Sequence, residues 1–321
     1  MAKPYTMAST IALAFSILAG ASAVYGQGSW TTLAPLPAST EGLGIGKVGN
    51  TIVVAYGYIP LFGGDQNVAR LYNINTDTWS LAAPGPAPNR SEIAYGDASH
   101  GGFVYVAGGR RFGVLADLDR YDVVTNTWTG LAPMPTARAA AAFTNANNSL
   151  YVIGGRRNTG GPCSGNAVAA VERYDVDTGV WNSLAPLPTP RSDLSAVTVG
   201  SKIYVFGGCT WGGGSAVNTV DIYNIVTNTW SSGALMPTRR ASMVAASLGG
   251  KIYVIAGYTG GPPLAVNEVY NVAANTWSTD APITVARGES NAIAHGGRIY
   301  VVGGALPGFG TSIASVEVFK K

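Results

Sequence analysis

Ile203-Tyr-Val-Phe-Gly-Gly208, then Asp221-Ile-Tyr223, then Asn228-Thr-Trp230 set the pattern from which the architecture follows. An alternating apolar run ends in paired glycines, an aromatic comes next, and a tryptophan stands seven positions after that aromatic. The same text recurs in both directions along the chain. The glycine-ended runs are Ile52-Val-Val-Ala-Tyr-Gly57, Val104-Tyr-Val-Ala-Gly-Gly109, Leu150-Tyr-Val-Ile-Gly-Gly155, Ile252-Tyr-Val-Ile-Ala-Gly257 and Ile299-Tyr-Val-Val-Gly-Gly304. Tyr72, Tyr121, Tyr174, Tyr223 and Tyr270 precede Trp79, Trp128, Trp181, Trp230 and Trp277, and Phe319 takes the aromatic place in the last copy. With Trp30, the tryptophans are separated by 49, 49, 53, 49 and 47 residues, and only Trp211 falls outside the series.

A period near 49 residues has to be read before any motif, because it decides the whole architecture. Each unit carries four short alternating stretches joined by Gly/Asn turns, as expected for four strands. In the fourth unit these fall at about Leu194 to Val199, Lys202 to Phe206, Val217 to Tyr223 and Thr229 to Ser232. Asp77, Asn126, Gly179, Asn228 and Asn275, before the tryptophans, tolerate a left-handed backbone and predict tight hairpins. A four-stranded unit cannot bury both faces alone, so the six must stack radially into an all-β, six-bladed β-propeller of antiparallel blades. The last copy lacks its fourth strand, and the segment from Ser29 to Pro37 matches that strand. The N-terminal strand is therefore expected to close blade six, which removes the exposed edges.

Composition agrees with this and excludes other classes. Charged residues are 12% against about 25% in an average chain, and 43 glycines in 321 residues are close to twice the usual share. A net charge of +3 supplies no basic stripe, so nucleic acid is not an expected partner. Lys3, an apolar run from Ala8 to Gly20 and Ala21-Ser-Ala23 read as a cleaved signal peptide over residues 1–23. That run is too short to span a bilayer. The expected product is a single propeller domain over 24–321, monomeric, and secreted or periplasmic.

The glycine pair, the tyrosine and the tryptophan seven residues later resemble the Kelch repeat from Ser29 to Lys321, with Tyr56 and Ala256 departing from the pair. The resemblance implies the propeller but leaves function open among protein-binding modules, actin-associated proteins and enzymes. Copper oxidases of the galactose oxidase kind need an adjacent Tyr-His pair, which is absent here. The Glu-x3-Asp-x3-His spacing of Kelch-like nitrile specifiers is broken at Gly96 between Glu92 and His100. No metal and no cofactor are expected.

Strand alternation places the loops between second and third strands, together with the blade-to-blade connections, on one face, the top. There the connections carry Arg90, Arg138, Arg191, Arg240 and Arg287, with Thr40 in blade one, and the loops add Arg110, Arg111, Arg156 and Arg157. With Arg239, ten of the fourteen arginines face six acids, which predicts a positive funnel. Arginine forks bind carboxylate, phosphate or sulfate, and the resemblance implies that arginines here hold acidic peptides. Repetition in nearly every blade equally suits ion pairs within the scaffold, with Glu92, Asp193 and Glu289 as the expected counterions. Trp211 and Tyr258 are aromatic anchors of the kind found at interfaces. Cys163 and Cys209, on adjacent blades of an exported chain, favour a disulfide, with unpaired thiols as the alternative.

The leading functional expectation is a binding module for an acidic protein segment or an anionic glycan. The alternatives are a metal-free sugar epimerase resembling sialic acid mutarotases, and a purely structural envelope protein. A deep pocket holding an acid from Glu92, Asp193 or Glu289 without an arginine partner would favour the enzyme. A shallow positive rim would favour the module.

Overall fold

The structure, a computed structural model, describes residues 28–210, 215–306 and 311–321. The signal peptide expected over 1–23 and Trp211 lie outside the described residues. Six four-stranded antiparallel sheets form the blades of a β-propeller. In blade four the strands are Ser195–Val199, Lys202–Phe206, Val220–Asn224 and Thr229–Ser232. The third begins later than the pattern suggests, because the Val217 N–H bonds Gly208 and its carbonyl accepts from Arg240, outside the ladder. Ser29–Thr32 pairs with Val316–Lys320, placing Trp30 opposite Phe319, and closes blade six.

The apolar core lies between the blades. Ile52, Val54 and Tyr72 of blade one pack on Tyr300, Val302 and Val316 of blade six, and equivalent sets fill the joints between the other blades. The period of the tryptophans has a bonding reason. Each indole lies about 5 Å from its own blade's aromatic and donates its N–H to an alanine carbonyl on the exit of the preceding blade. Trp79 bonds Ala34, Trp128 bonds Ala83 and Trp230 bonds Ala185, at 2.8–2.9 Å. The turn residue adds a second tie: Asn126 Oδ1 accepts from the Tyr121 hydroxyl and from the Ala83 N–H, and Asn228 and Asn275 repeat this.

Underneath, His100 and His295 end the first strands of blades two and six, rather than lying in the turns, and bond Asn148 and Asn50 of the next blade at 2.7 and 2.8 Å. Glu92 lies in the connection leading into blade two, eight residues before His100 at the end of the strand Ser99–His100, and Gly96 between them offers no ligand. Among the described residues no helix is long and apolar enough to cross a membrane.

Candidate functional site

Two rings of residues, each contributed once per blade, build the mouth of the channel. The first ring is the residue after each glycine pair: Tyr58, Arg110, Arg156, Cys209, Tyr258 and Ala305. Each pairs antiparallel with the connection leading into its blade, as in Glu41 with Tyr58, Ser91 with Arg110 and Ala241 with Tyr258. The opening residue of the pair is left-handed in every blade, at φ between 53° and 63°, and Tyr56 and Ala256 adopt that conformation despite their side chains. The second ring is Gly42, Glu92, Ala140, Asp193, Ser242 and Glu289, all left-handed, with φ between 47° and 59°. Its members are linked head to tail: Ala140 N–H donates to Glu92, Asp193 to Ala140, Ser242 to Asp193, Glu289 to Ser242 and Gly42 to Glu289. A non-glycine residue in this conformation is costly. Here the hydrogen-bonded ring holds three acids in it at the channel axis.

The rings enclose a cavity of about 510 Å³, lined by Glu41, Tyr58, Glu92, Arg110, Tyr258 and Glu289 among others, with Gly161–Cys163 as part of one wall. Arg156 is fully buried and holds two of the acids, Asp193 at 2.9 Å and Glu92. Arg110 pairs with Glu92 at 2.9 Å. Glu289 has neither an ion pair nor a side-chain hydrogen bond among the described residues. Burial, then the charges of Glu92, Glu41 and Asp193, raise its pKa well above the ordinary glutamate value. Glu92 is also raised by burial, against the opposing pull of Arg156 and Arg110. Glu41 is pushed up to about 7, first by burial, with Ser312 opposing and Glu92 reinforcing. Tyr95, three residues after Glu92 and bridged to Ala142 of the next blade, buries a hydroxyl with no partner among the described residues. Burial first, and then Glu289 and Glu92, push its pKa up.

The positive funnel is not what the structure builds. Arg90, Arg138, Arg191, Arg240 and Arg287, expected as ligand contacts, are at most 1% exposed. Each pairs with an acid on the third strand of the blade it leads into: Asp119, Glu172, Asp221, Glu268 and Glu317. Those acids stand two residues before the repeat aromatic, a periodic signal that the sequence carries and that the tally of top-face charges missed. Neither do Glu92, Asp193 and Glu289 pair with the repeated arginines. Of the loop arginines, Arg110 and Arg156 turn inward, whereas Arg111 and Arg157 are exposed. Cys163 and Cys209 form the disulfide, with Cα atoms 5.2 Å apart. It ties the cavity wall of blade three to blade four, and the Cys163 N–H donates to Asp193 Oδ2 at 3.1 Å.

Among the described residues no group of three His, Cys, Asp or Glu is placed to hold a metal ion. The mouth offers proton donors, proton acceptors and hydrogen-bonding groups around a space of ordinary small-ligand size.

Residues 99–304 match the KLHDC2/KLHL20/DRC7 Kelch-repeats domain. The chain belongs to the Kelch-repeat family. It is similar to the Kelch-like protein terF of Aspergillus terreus, 27% identical over 205 residues, which is 59% of this chain and 43% of that protein. It is 38% identical to human Kelch-like protein 25 over 110 residues, covering 33% of this chain and 19% of that one. An N-(sulfonatooxy)prop-2-enimidothioate sulfolyase of Thlaspi arvense is 28% identical over 199 residues, 57% of this chain and 56% of the enzyme. The match thus spans between a fifth and little over half of these relatives' lengths. A solved structure, "Structure of YjhT", has the same fold, with a TM-score of 0.75 at 15% identity, over 88% of this chain and 95% of that one. The Kelch propeller fold suggests a protein-interaction module.

Proposed function

We propose that the Kelch propeller binds a small polyhydroxylated ligand in the mouth cavity and moves protons on it without a metal, as a sugar mutarotase or epimerase does. The observation that carries this is Glu289, an acid facing the half-open mouth cavity with no arginine partner among the described residues. Carboxyl groups whose environments set their protonation apart are the usual equipment for acid–base chemistry. In mutarotation Glu289, held neutral, gives its proton to the ring oxygen as the C1–O bond breaks. Glu92, between two guanidiniums, accepts the proton of the anomeric hydroxyl. Closure on the other face of the carbonyl returns both protons. Three glutamates against one arginine on the cavity wall suit a neutral or amino sugar better than the anionic glycan read from the sequence. That one relative is named as a lyase accords with chemistry on this scaffold.

The test is the rate of anomer exchange for a panel of aldoses, hexosamines and N-acetylated acid sugars, followed by NMR. An acceleration that falls about a hundredfold or more in Glu289→Gln is expected; no acceleration of any sugar by the native protein would overturn the proposal.

A second use of the same face rests on a different observation. Phe112 is 92% exposed with Arg111 stacked 4.8 Å from its ring, and Leu61 and Phe62 of blade one are exposed as well. Exposed aromatic and arginine anchors favour docking of an acidic protein segment on the rim. Selective capture on an acidic-peptide array, lost in Arg111→Ala/Arg157→Ala, is the expected result.

A further inference from the structure

We propose that Arg70 of blade one holds a small monovalent anion, a halide or a short carboxylate, in place of the acid that completes every other blade. Five blades bury one arginine and one carboxylate together, so each joint is electrically neutral. Blade one reverses the types. Thr40 stands where the leading arginine stands elsewhere: its carbonyl accepts from Gly304 as that of Arg138 accepts from Gly109. Arg70, two residues before Tyr72, takes the place of the acid.

Arg70 is 3% exposed, and its Nε and Nη1 are buried with no hydrogen-bond partner among the described residues. No carboxylate among those residues lies within ion-pair distance. Thr40 cannot replace the missing charge, because its hydroxyl donates to the Ala38 carbonyl at 2.9 Å. A guanidinium cannot shed its proton in the range of ordinary solutions and always presents donors. Burial does lower its pKa, and no counter-charge offsets it. An unpaired, largely buried cation is unfavourable, and the group that both neutralises it and accepts its free N–H bonds is an anion small enough to enter beside it. Chloride and formate meet these conditions; a large polyhydroxy acid does not.

The experiment is thermal unfolding of the purified protein in sodium chloride, bromide or formate against sodium gluconate at equal ionic strength. It is combined with bromide-soaked crystals measured at the bromine edge. Native protein should melt about 3 °C higher in 0.1 M of the fitting anion, the shift expected for a site about tenfold saturated. Halide alone raising the melting point identifies a halide site, and formate alone a carboxylate site. Arg70→Met should be insensitive to the anion, as should Thr40→Arg/Arg70→Glu, which restores the arrangement of the other blades. Equal shifts in native and Arg70→Met protein would overturn the proposal, as would no shift in any salt. Should both variants fail to fold, crystals soaked in bromide and in formate decide alone: either anion in contact with Arg70 supports the site, and the absence of both refutes it.

Discussion

Arg138 and Arg156 are both buried to within 1% of full exclusion and both ion-paired, yet their surroundings set them to different tasks. Arg138 meets one carboxylate, Glu172 at 2.7 Å, on the strand of its own blade, and donates from Nη1 and Nη2 to the carbonyls of Thr136 and Val152. That unit is neutral and recurs around the ring. Arg156 instead gathers Glu92 and Asp193, which lead into blades two and four. Glu289 and Glu41 stand nearby without an ion pair, and burial shifts both toward the protonated form. Burial and pairing therefore do not distinguish scaffold from site. The distinction lies in whether the counterion comes from the same repeat or from across the axis, where charge can remain unbalanced and a ligand can enter.

Breaking the scaffold side of this contrast should have the largest effect. Glu172→Leu strands the Arg138 charge and should cost about 3–5 kcal/mol, lowering the melting temperature by roughly 10 °C. The double change Arg138→Met/Glu172→Leu should recover most of that loss in a thermal melt. A double variant no better than the single one would show that the pair is not the unit of stability.

The site side predicts a pH effect of opposite sense to ordinary acid denaturation. Burial pushes the Glu41 carboxyl up to about 7, well above the ordinary glutamate value, so the folded state binds its proton more tightly than the unfolded state does. The stabilisation is complete below pH 4.5 and is lost as the pH rises toward 7, by up to about 3 kcal/mol. Glu41→Gln should reduce the decline read between urea melts at pH 5 and pH 8, the remainder belonging to Glu289 and Glu92, which burial also raises. An unchanged slope would place the decline elsewhere.

Smaller effects sharpen the comparison. Tyr56 donates from its hydroxyl to Asp119 Oδ2 at 3.1 Å, and its ring lies 4.3 Å from the Arg90 guanidinium. The irregular residue of the first glycine pair thus serves the arginine pair of the next blade. Tyr56→Phe should cost about 1 kcal/mol in equilibrium unfolding. Smallest of all, Arg157→Ala should leave stability within about 0.5 kcal/mol and anomer exchange unchanged. A lost rate would move the chemistry outward from the inner rings.

Much of this was legible in the residue text, at particular positions. The tryptophan beat, the tyrosines and the spare segment at Ser29 were enough for six blades and their closure, because each marks a contact repeated at the same place in every copy. The face was legible as well: strand alternation puts Tyr58, Arg110, Arg156 and Tyr258 at one end, and the cavity is there. The fate of the arginines was not. Arg90 and Asp119 are 29 residues apart, and Arg138 and Glu172 are 34 apart. Nothing in either local stretch says which will meet, although the five acids before the aromatics were a readable clue.

The sequence by itself thus determined the repeat, the blade count, the closing strand and which loops share the end of the channel where the cavity opens, since those depend on local periodicity and on contacts common to all copies. Only the tertiary structure decided which charges are neutralised inside the blades and which stand unbalanced at the axis. Six connections converge there from distant parts of the chain, and the protonation of Glu41, Glu92 and Glu289 depends on burial and on neighbours that no single repeat contains.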